Sequence, residues 1–173
     1  MAFAIGIKAP GSTGEHLRDY WNRFARFEPT PSMAALSYPP HVTLAVYECI
    51  REEQLRDALH RVFDDQSCIS LRFHRLSYFE QPKLVFWAVP DPCEPLMRVH
   101  TAIHKLIDPE LCEVHYRPNH WVPHCTLATG IKDTNRTEAI TLANKSIEAF
   151  EVLFDWADCV QFFPVRVIEQ LRL

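Results

Sequence analysis

Pro40-His41-Val42-Thr43-Leu44-Ala45 and Pro123-His124-Cys125-Thr126-Leu127-Ala128 are two copies of one six-residue pattern. The chain holds nine histidines, and only these two, 83 positions apart, are followed by Thr two residues later. A single His-x-Thr is a weak motif, whereas a repeated one with matching flanks is specific. Two imidazoles, each beside a hydroxyl, suit acid–base chemistry on a phosphodiester.

The residues around both histidines are typical of β-strands. In a strand, residues two apart point to the same face. We therefore expect His41 and Thr43 to share one face, with Val42 and Leu44 behind them, and we expect the same of His124 and Thr126. Cys125 should then point to the opposite face and be a core residue rather than a nucleophile.

Beyond the motifs, both halves of the chain predict the same order of elements: strand, helix, His-x-Thr strand, helix, strand. In the first half, the other predicted elements are a strand at 3–7, a helix at 13–27, a helix at 52–63 and a strand at 68–79. In the second half, they are a strand at 84–89, a helix at 94–107, a helix at 134–150, a strand at 152–163 and its hairpin partner at 165–173. Two copies indicate a duplicated lobe, since repeat arrays need about three or more.

Composition sets limits on the class of protein. The chain has 173 residues, of which 47% are hydrophobic, enough for one domain with a sizeable core. No stretch is as long and apolar as a membrane span, and no signal peptide is apparent. The six cysteines form no C-x-x-C pair, which favours reduced thiols and a cytoplasmic location. With only four glycines there is no phosphate-binding P-loop.

The formal net charge of −4 is unusual for a protein that grips long nucleic acid by its backbone. A nucleic-acid substrate would have to be short, be met at an end, or meet a local basic lining. Six basic residues are available for such a lining, although most are expected to be ordinary surface charges. They are Lys8, Arg75, Arg98, Arg117, Lys132 and Arg166.

Over essentially the whole chain, the paired Pro-His-x-Thr-Leu motif and the element order resemble the 2H phosphoesterase superfamily, and within it the bacterial and archaeal 2′-5′ RNA ligase-like branch. The resemblance implies a single α+β domain over 1–173. It would be bilobal, with two pseudo-symmetric antiparallel sheets flanked by helices, and motifs 40–45 and 123–128 would face each other across a central cleft.

The resemblance also implies an activity and residue roles. The family acts on 2′,3′-cyclic phosphates or 2′-5′ linkages of RNA ends and small nucleotides. In hydrolysis His124 would be the base and His41 the acid, and the roles would exchange in ligation. Thr43 and Thr126 would donate hydrogen bonds to phosphate oxygens. The scheme needs no metal and no cofactor.

Other residues are open to two interpretations. Tyr38 and Trp121 lie three residues before the two histidines and could stack a base, or could simply pack. His100 and His104 have an i, i+4 spacing that suits zinc, but a third ligand is not evident. A polar-aromatic loop before the second motif either contacts substrate or is a solvated connection. It contains His115, Tyr116, Arg117, Asn119 and His120.

The sequence is compatible with three classes of function. The first is a metal-independent phosphodiesterase on RNA ends or nucleotides, expected to be a monomer with no membrane or protein partner. The second is a module that binds nucleotide or RNA without turnover, although binding alone would not need both histidines. The third is a metal-dependent hydrolase built on the other histidines, which sensitivity to a chelator would reveal.

Overall fold

A computed structural model describes residues 2–80 and 83–173. Within these residues, eight strands form two four-stranded antiparallel sheets, and five α-helices flank them. The strands are β1 Ala2–Lys8, β2 His41–Tyr47, β3 Ile69–Phe79, β4 Val85–Pro90, β5 Cys125–Ala128, β6 Phe150–Phe154, β7 Trp156–Phe162 and β8 Arg166–Arg172. The helices are α1 Glu15–Ala25, α2 Ser32–Ala35, α3 Glu52–Phe63, α4 Glu94–Leu106 and α5 Arg136–Ala143. The α+β class with two antiparallel sheets is confirmed.

Each sheet combines strands from both halves of the chain. The first sheet has the order β2-β1-β7-β8, and the second has the order β5-β4-β3-β6. Each His-x-Thr strand is thus an edge strand, paired with the first strand of its own half. The third strand of the first half, β3, joins the second sheet, while β7 and β8 complete the first.

The helices also cross between the sheets. Helix α1 follows a strand of the first sheet but packs on β5 of the second, and α4 follows a strand of the second sheet but packs on β2 of the first. Helix α3 covers β7 and β8, and α5 lies against β3. Each motif strand is therefore backed by a helix from the opposite half of the sequence.

Alternation of buried and exposed residues accounts for the strand faces. Along the first six residues of β3, Ile69, Leu71 and Phe73 are buried and the residues between them are exposed. In the first sheet, Ile5, Ile7, Val42 and Leu44 are fully buried in the main core. The residues between them on β1 and β2 include His41 and Thr43, which stay half-buried on the other face. Apolar burial on one face thus leaves the other face free for the site.

Two predicted elements were wrong in their bounds. The helix expected at 134–150 ends at Ala143, because only Ala139 and Ala143 are buried on it, so it has almost no apolar stripe to hold a longer helix. The strand expected at 152–163 is two strands, separated at Asp155, which lie in different sheets. The backbone carbonyl of Asp155 accepts a hydrogen bond from the Leu173 amide at the crossing.

Helix α2 was not predicted. Its four residues lie just after Pro29 and Pro31, which end the preceding helical pattern. Glu28, which is buried, anchors this region by accepting hydrogen bonds from Ser32 and from the amides of Thr129 and Gly130. The turn after the second motif is therefore tied to the end of α1.

Candidate active site

The two motifs take corresponding places in the two sheets. Thr43 lies opposite Gly6 on β1, and Thr126 lies opposite Trp87 on β4. His41 is the first residue of β2, whereas His124 comes just before β5. Residues of both sheets line one pocket with a volume of about 180 Å³, which includes His41, Thr43, His124 and Thr126. The fold therefore brings together the four residues that the repeat singled out.

Both imidazoles make the same hydrogen bond. Nδ1 of His41 lies 2.9 Å from the Pro39 carbonyl oxygen, and Nδ1 of His124 lies 2.7 Å from that of Val122. A carbonyl oxygen only accepts, so Nδ1 carries the proton in each ring. In the neutral ring, Nε2 is then the nitrogen with a lone pair, and in the charged ring it carries the proton that can be given up.

Burial is the main influence on the charge of both rings, and it lowers the pKa of each below the ordinary value for histidine. For His124, the neighbouring His41 lowers the pKa further. For His41, the hydrogen bond to Pro39 and the Asp158 carboxylate raise the pKa, and Lys8 lowers it. His41 therefore contributes to the lowered pKa of His124, whereas His41 itself has the charged neighbours Asp158 and Lys8.

The two threonine hydroxyls are available to a ligand. Within residues 2–80 and 83–173, neither Thr43 Oγ1 nor Thr126 Oγ1 has a hydrogen-bond partner, whereas Thr101 and Thr141 bond to carbonyls of their own helices. A hydroxyl that lines a pocket without a protein partner can donate to an anionic oxygen there.

Each motif backbone is held by a tryptophan from outside its own strand. The indole of Trp21, on α1, donates to the Thr126 carbonyl at 3.0 Å, and the indole of Trp121 donates to the Thr43 carbonyl at 3.1 Å. Trp121 is buried, and its ring stacks on His100 with centroids 4.1 Å apart. Trp121 therefore holds the backbone of the first motif through this hydrogen bond, and its buried ring offers no exposed surface on which a base could stack.

Tyr38 does line the pocket, and its ring meets the His41 ring edge-on at 4.9 Å. Its hydroxyl lies 2.7 Å from both oxygens of Asp158. Asp158 also accepts from the ammonium of Lys8 at 2.7 Å. The surroundings of His41 thus contain a buried ion pair that the motif did not predict.

His124 has aromatic neighbours instead. The Trp87 ring meets the His124 ring edge-on at 5.4 Å, and Phe79 stacks on Trp87 with centroids 5.0 Å apart. Trp87 is buried and Phe79 is partly exposed. The two histidines therefore share one pocket but differ in polarity of environment.

Much of the apolar lining of the pocket was not predicted from the sequence. These residues come mainly from α2, β7 and the β7–β8 turn, where no polar motif signals a site. They are Met33, Leu36, Val160, Phe162, Phe163 and Val165. Phe163 is the most exposed of them, at 70%. The sequence feature that could have indicated this lining is the pair Phe162-Phe163 at the turn of the predicted hairpin, where aromatic residues are unusual.

The six candidate basic residues do not line the described pocket. Lys8 pairs with Asp158, Arg98 with Glu94, Arg117 with Glu110 and Arg166 with Glu52. Arg75 and Lys132 have no ion-pair partner in the part of the chain that the structure describes. By register, Arg75 lies opposite Val89 on β4.

The helical pair His100 and His104 lies in the core. Both Nε2 atoms bond to the carbonyl oxygen of Tyr116, at 2.9 and 3.0 Å. Over the described residues, no group of three or more potential metal-ligating side chains occurs. In the loop before the second motif, Tyr116 lines the pocket, and Arg117 bonds to the backbone of Cys112 and Glu110.

Cys125 is buried, as expected for a core residue, and burial raises the pKa of its thiol to about 12. A thiol with so high a pKa is a poor nucleophile at neutral pH. Among the described residues, no helix is long and apolar enough to cross a membrane.

Comparisons with known proteins agree with the fold described above. A search of curated proteins found no match. Solved structures with the same fold include TT0787 of Thermus thermophilus (TM-score 0.65, 18% identity, covering 100% of this chain and 98% of that one). E. coli LigT complexed with ATP has a TM-score of 0.59 and 14% identity, covering 99% and 97% of the two chains. Kluyveromyces marxianus Usb1 has a TM-score of 0.51 and 13% identity, covering 99% and 98%.

These identities show a shared fold. The family follows from the sequence itself, because the model of the 2′-5′ RNA ligase superfamily matches residues 14–161, a span that contains both His-x-Thr motifs. That span runs from the end of the first turn after β1 to near the end of β7. The chain belongs to the 2′-5′ RNA ligase superfamily, whose members have the 2H phosphoesterase fold.

Proposed function

We propose that the protein is a metal-independent phosphodiesterase that acts on 2′,3′-cyclic phosphates or 2′-5′ linkages of RNA ends or small nucleotides. Membership of the superfamily supports phosphodiesterase or ligase chemistry on RNA. The observation that carries the finer proposal is the matched pair of imidazoles. Both hold Nδ1–H on a backbone carbonyl, which frees Nε2, and both line one pocket with two unpartnered threonine hydroxyls.

The chemistry that this arrangement supports is in-line displacement at phosphorus. Neutral His124 accepts a proton from water at Nε2 as the water oxygen bonds to phosphorus. Charged His41 gives its Nε2 proton to the 2′ or 3′ oxygen as that oxygen leaves. Thr43 and Thr126 donate hydrogen bonds to the non-bridging oxygens, where charge builds up. Ligation is the same path in reverse, so an excess of water favours hydrolysis.

We further propose that residues 1–173 are one domain of two pseudo-symmetric lobes with the pocket as its central cleft. The corresponding positions of the two motif strands in their sheets support this description. RNA ends or small nucleotides are the proposed ligands, with Tyr38 on the pocket wall next to the ring of His41.

Hydrolysis of a nucleoside 2′,3′-cyclic phosphate in excess chelator tests the function. Wild type is expected to turn over, and His41→Ala and His124→Ala are each expected to lose about 10²- to 10⁴-fold in rate. His60→Ala, on the exposed face of α3, is the matched control and should keep full activity. The position of the product phosphate identifies the oxygen that leaves.

Two results would count against the proposal. If both histidine variants retain wild-type rates, these residues are not the acid and base. If wild type leaves both the cyclic phosphate and 2′-5′-linked dinucleotides intact, a module that binds nucleotide without turnover becomes the better description. Restoration of activity by a divalent metal after chelation would point to the metal-dependent class.

A further inference from the structure

The pocket-facing side of the first sheet carries a charged cluster beside His41. Lys8 lies directly opposite His41 on the neighbouring strand, and Asp158 lies opposite Gly6. Lys8 and Asp158 are 5% and 1% exposed. The ammonium of Lys8 nevertheless turns away from β2, since it bonds to Asp158 at 2.7 Å and to Gln170 on β8 at 2.8 Å.

Asp158 is held from two sides. Besides Lys8, the Tyr38 hydroxyl donates to it, with both carboxylate oxygens 2.7 Å from the hydroxyl oxygen. Burial and the Asp158 carboxylate raise the pKa of Tyr38 well above its ordinary value, so Tyr38 stays a neutral donor. A buried ion pair contributes little to stability on average, because desolvation offsets the attraction. Stability alone therefore gives no reason for this pair to border the pocket.

At the two described positions of the second sheet that correspond to Gly6 and Asp158, no charged side chain is present. Trp87, opposite Thr126, takes the place that Gly6 has opposite Thr43. Ser77, opposite Trp87 on β3, takes the place of Asp158. The surroundings of the two histidines therefore differ because β1 and β7 carry different side chains from β4 and β3 at these positions.

We propose that Asp158 is a positioning residue that makes His41 the proton donor of the pair. This inference rests on the proposed function. Asp158 acts in two ways: its carboxylate favours the imidazolium of His41, and it draws the ammonium of Lys8 away from that ring. His41 then gives its Nε2 proton to the leaving oxygen and becomes neutral, while His124, in its aromatic surroundings, takes the proton of the attacking water.

The electrostatic neighbours of His41 agree with this direction. Burial lowers the pKa of His41, Asp158 raises it, and Lys8 lowers it by less than Asp158 raises it. The titratable groups around the ring come from several segments of chain. They are Lys8 on β1, Asp158 on β7, Tyr38 before β2, Tyr116 in the loop before the second motif, and His124 itself.

The test compares two leaving groups. Asp158→Asn and wild type are assayed with a nucleoside 2′,3′-cyclic phosphate, whose alkoxide must be protonated as it leaves, and with bis(4-nitrophenyl) phosphate, whose nitrophenolate leaves without a proton. Above the pKa of His41, we expect Asp158→Asn to lose about tenfold on the cyclic phosphate for each unit by which that pKa falls. On the nitrophenyl ester we expect a rate close to wild type.

The pH profile gives a second readout that a purely structural role would not move. Activity requires His41 protonated, so its pKa sets the basic limb of the profile for kcat/KM on the cyclic phosphate. Loss of Asp158 should move the basic limb to lower pH and leave the acidic limb in place. If the nitrophenyl ester proves not to be a substrate, this shift decides the question alone.

Two further variants control for effects of Asp158→Asn on folding and for the loss of any carboxylate on the first sheet. Lys8→Met/Asp158→Asn removes both charges, so no buried charge is left without a partner. It should shift the basic limb in the same direction but less. Glu169→Gln removes a carboxylate that pairs with Arg56 from α3, at a position opposite Cys159 rather than Asp158, and should leave the profile unchanged.

The outcomes separate this inference from the proposed function. If wild type turns over neither the cyclic phosphate nor 2′-5′-linked dinucleotides, the proposed function fails. If wild type is active but Asp158→Asn loses equally on both substrates, or keeps the wild-type basic limb, Asp158 does not direct the proton and the inference alone is overturned.

Discussion

At the scale of single residues, the proline before each histidine explains the shared tautomer. Pro40 and Pro123 have φ fixed near −65° and hold the preceding residue in an extended conformation. The carbonyl two positions before the histidine is thereby set in one direction, and in both motifs it lies within 3 Å of Nδ1. In both Pro-His dipeptides this contact leaves Nε2 free to act on a ligand.

The threonine hydroxyls give a prediction at the same scale. Thr43→Val keeps the shape of the side chain but removes the donor, so kcat/KM on the cyclic phosphate should fall about 10²-fold, as when one oxyanion donor is removed. Thr43→Ser keeps a hydroxyl and should retain most activity. Thr101→Val, on an exposed part of α4, controls for the substitution itself. Equal rates for the Val and Ser variants would show that the hydroxyl does not contact the transition state.

At the scale of elements, β1 lies between β2, which carries Thr43, and β7, which carries Asp158. Gly6 lies opposite both of them, at a bulge in the β1–β2 pairing. A Cβ at this position would lie 2.9 Å from the Val42 carbonyl oxygen, closer than such contacts occur. The glycine therefore permits the close approach of β2, and with it the placement of the first motif.

Gly6→Ala should accordingly cost about 1–3 kcal/mol of unfolding free energy, because the strands must move apart. It should also lower kcat/KM, since His41 and Thr43 move with β2. Gly11→Ala is the control: its Cβ would have nothing within 4 Å and should change stability by less than about 0.5 kcal/mol. Urea denaturation and the cyclic phosphate assay measure both effects. A Gly6→Ala protein as stable as Gly11→Ala would contradict the packing argument.

The elements also show what the sequence could predict. Helix α3 was predicted within its observed bounds, because Leu55, Ala58 and Leu59 form a regular buried stripe. The break at Asp155 was not predicted, since β6 and β7 are both apolar and nothing local indicates that they belong to different sheets. Likewise the motif identified the paired histidines and threonines, but Asp158 is brought to His41 by β1–β7 pairing, a long-range contact that periodicity does not encode.

At the scale of the whole molecule, two buried histidines make the stability of the folded chain depend on pH. His100 and His104 lie behind Trp121, and burial, the largest influence, lowers the pKa of His100 to about 4 and also lowers that of His104. The unfolded chain binds protons at these residues near pH 6.5, where the folded chain does not. Stability is therefore fully present above that pH and is lost as the pH falls from about 6.5 toward about 4.

For His100 alone the loss should be on the order of 3 kcal/mol. His100→Phe keeps a ring on Trp121 but cannot titrate, so its unfolding free energy should fall less between about pH 7 and about pH 4.5. Urea denaturation at the two pH values, with His60→Ala as an exposed control, measures the difference. Parallel losses in wild type and His100→Phe would show that another group governs the acid sensitivity.

The crossed helices and the passage of the chain from β6 to β7 affect how the protein can fold while it is being synthesised. The first sheet lacks half its strands until β7 and β8 have been made, and each motif is held by an indole or helix from the other half. A nascent chain that has released both histidines from the ribosome but not β7 still lacks Asp158 and the strand that borders β1. Because Val160 and Phe162 of the pocket lining also lie on β7, the complete pocket can form only after this strand has left the ribosome.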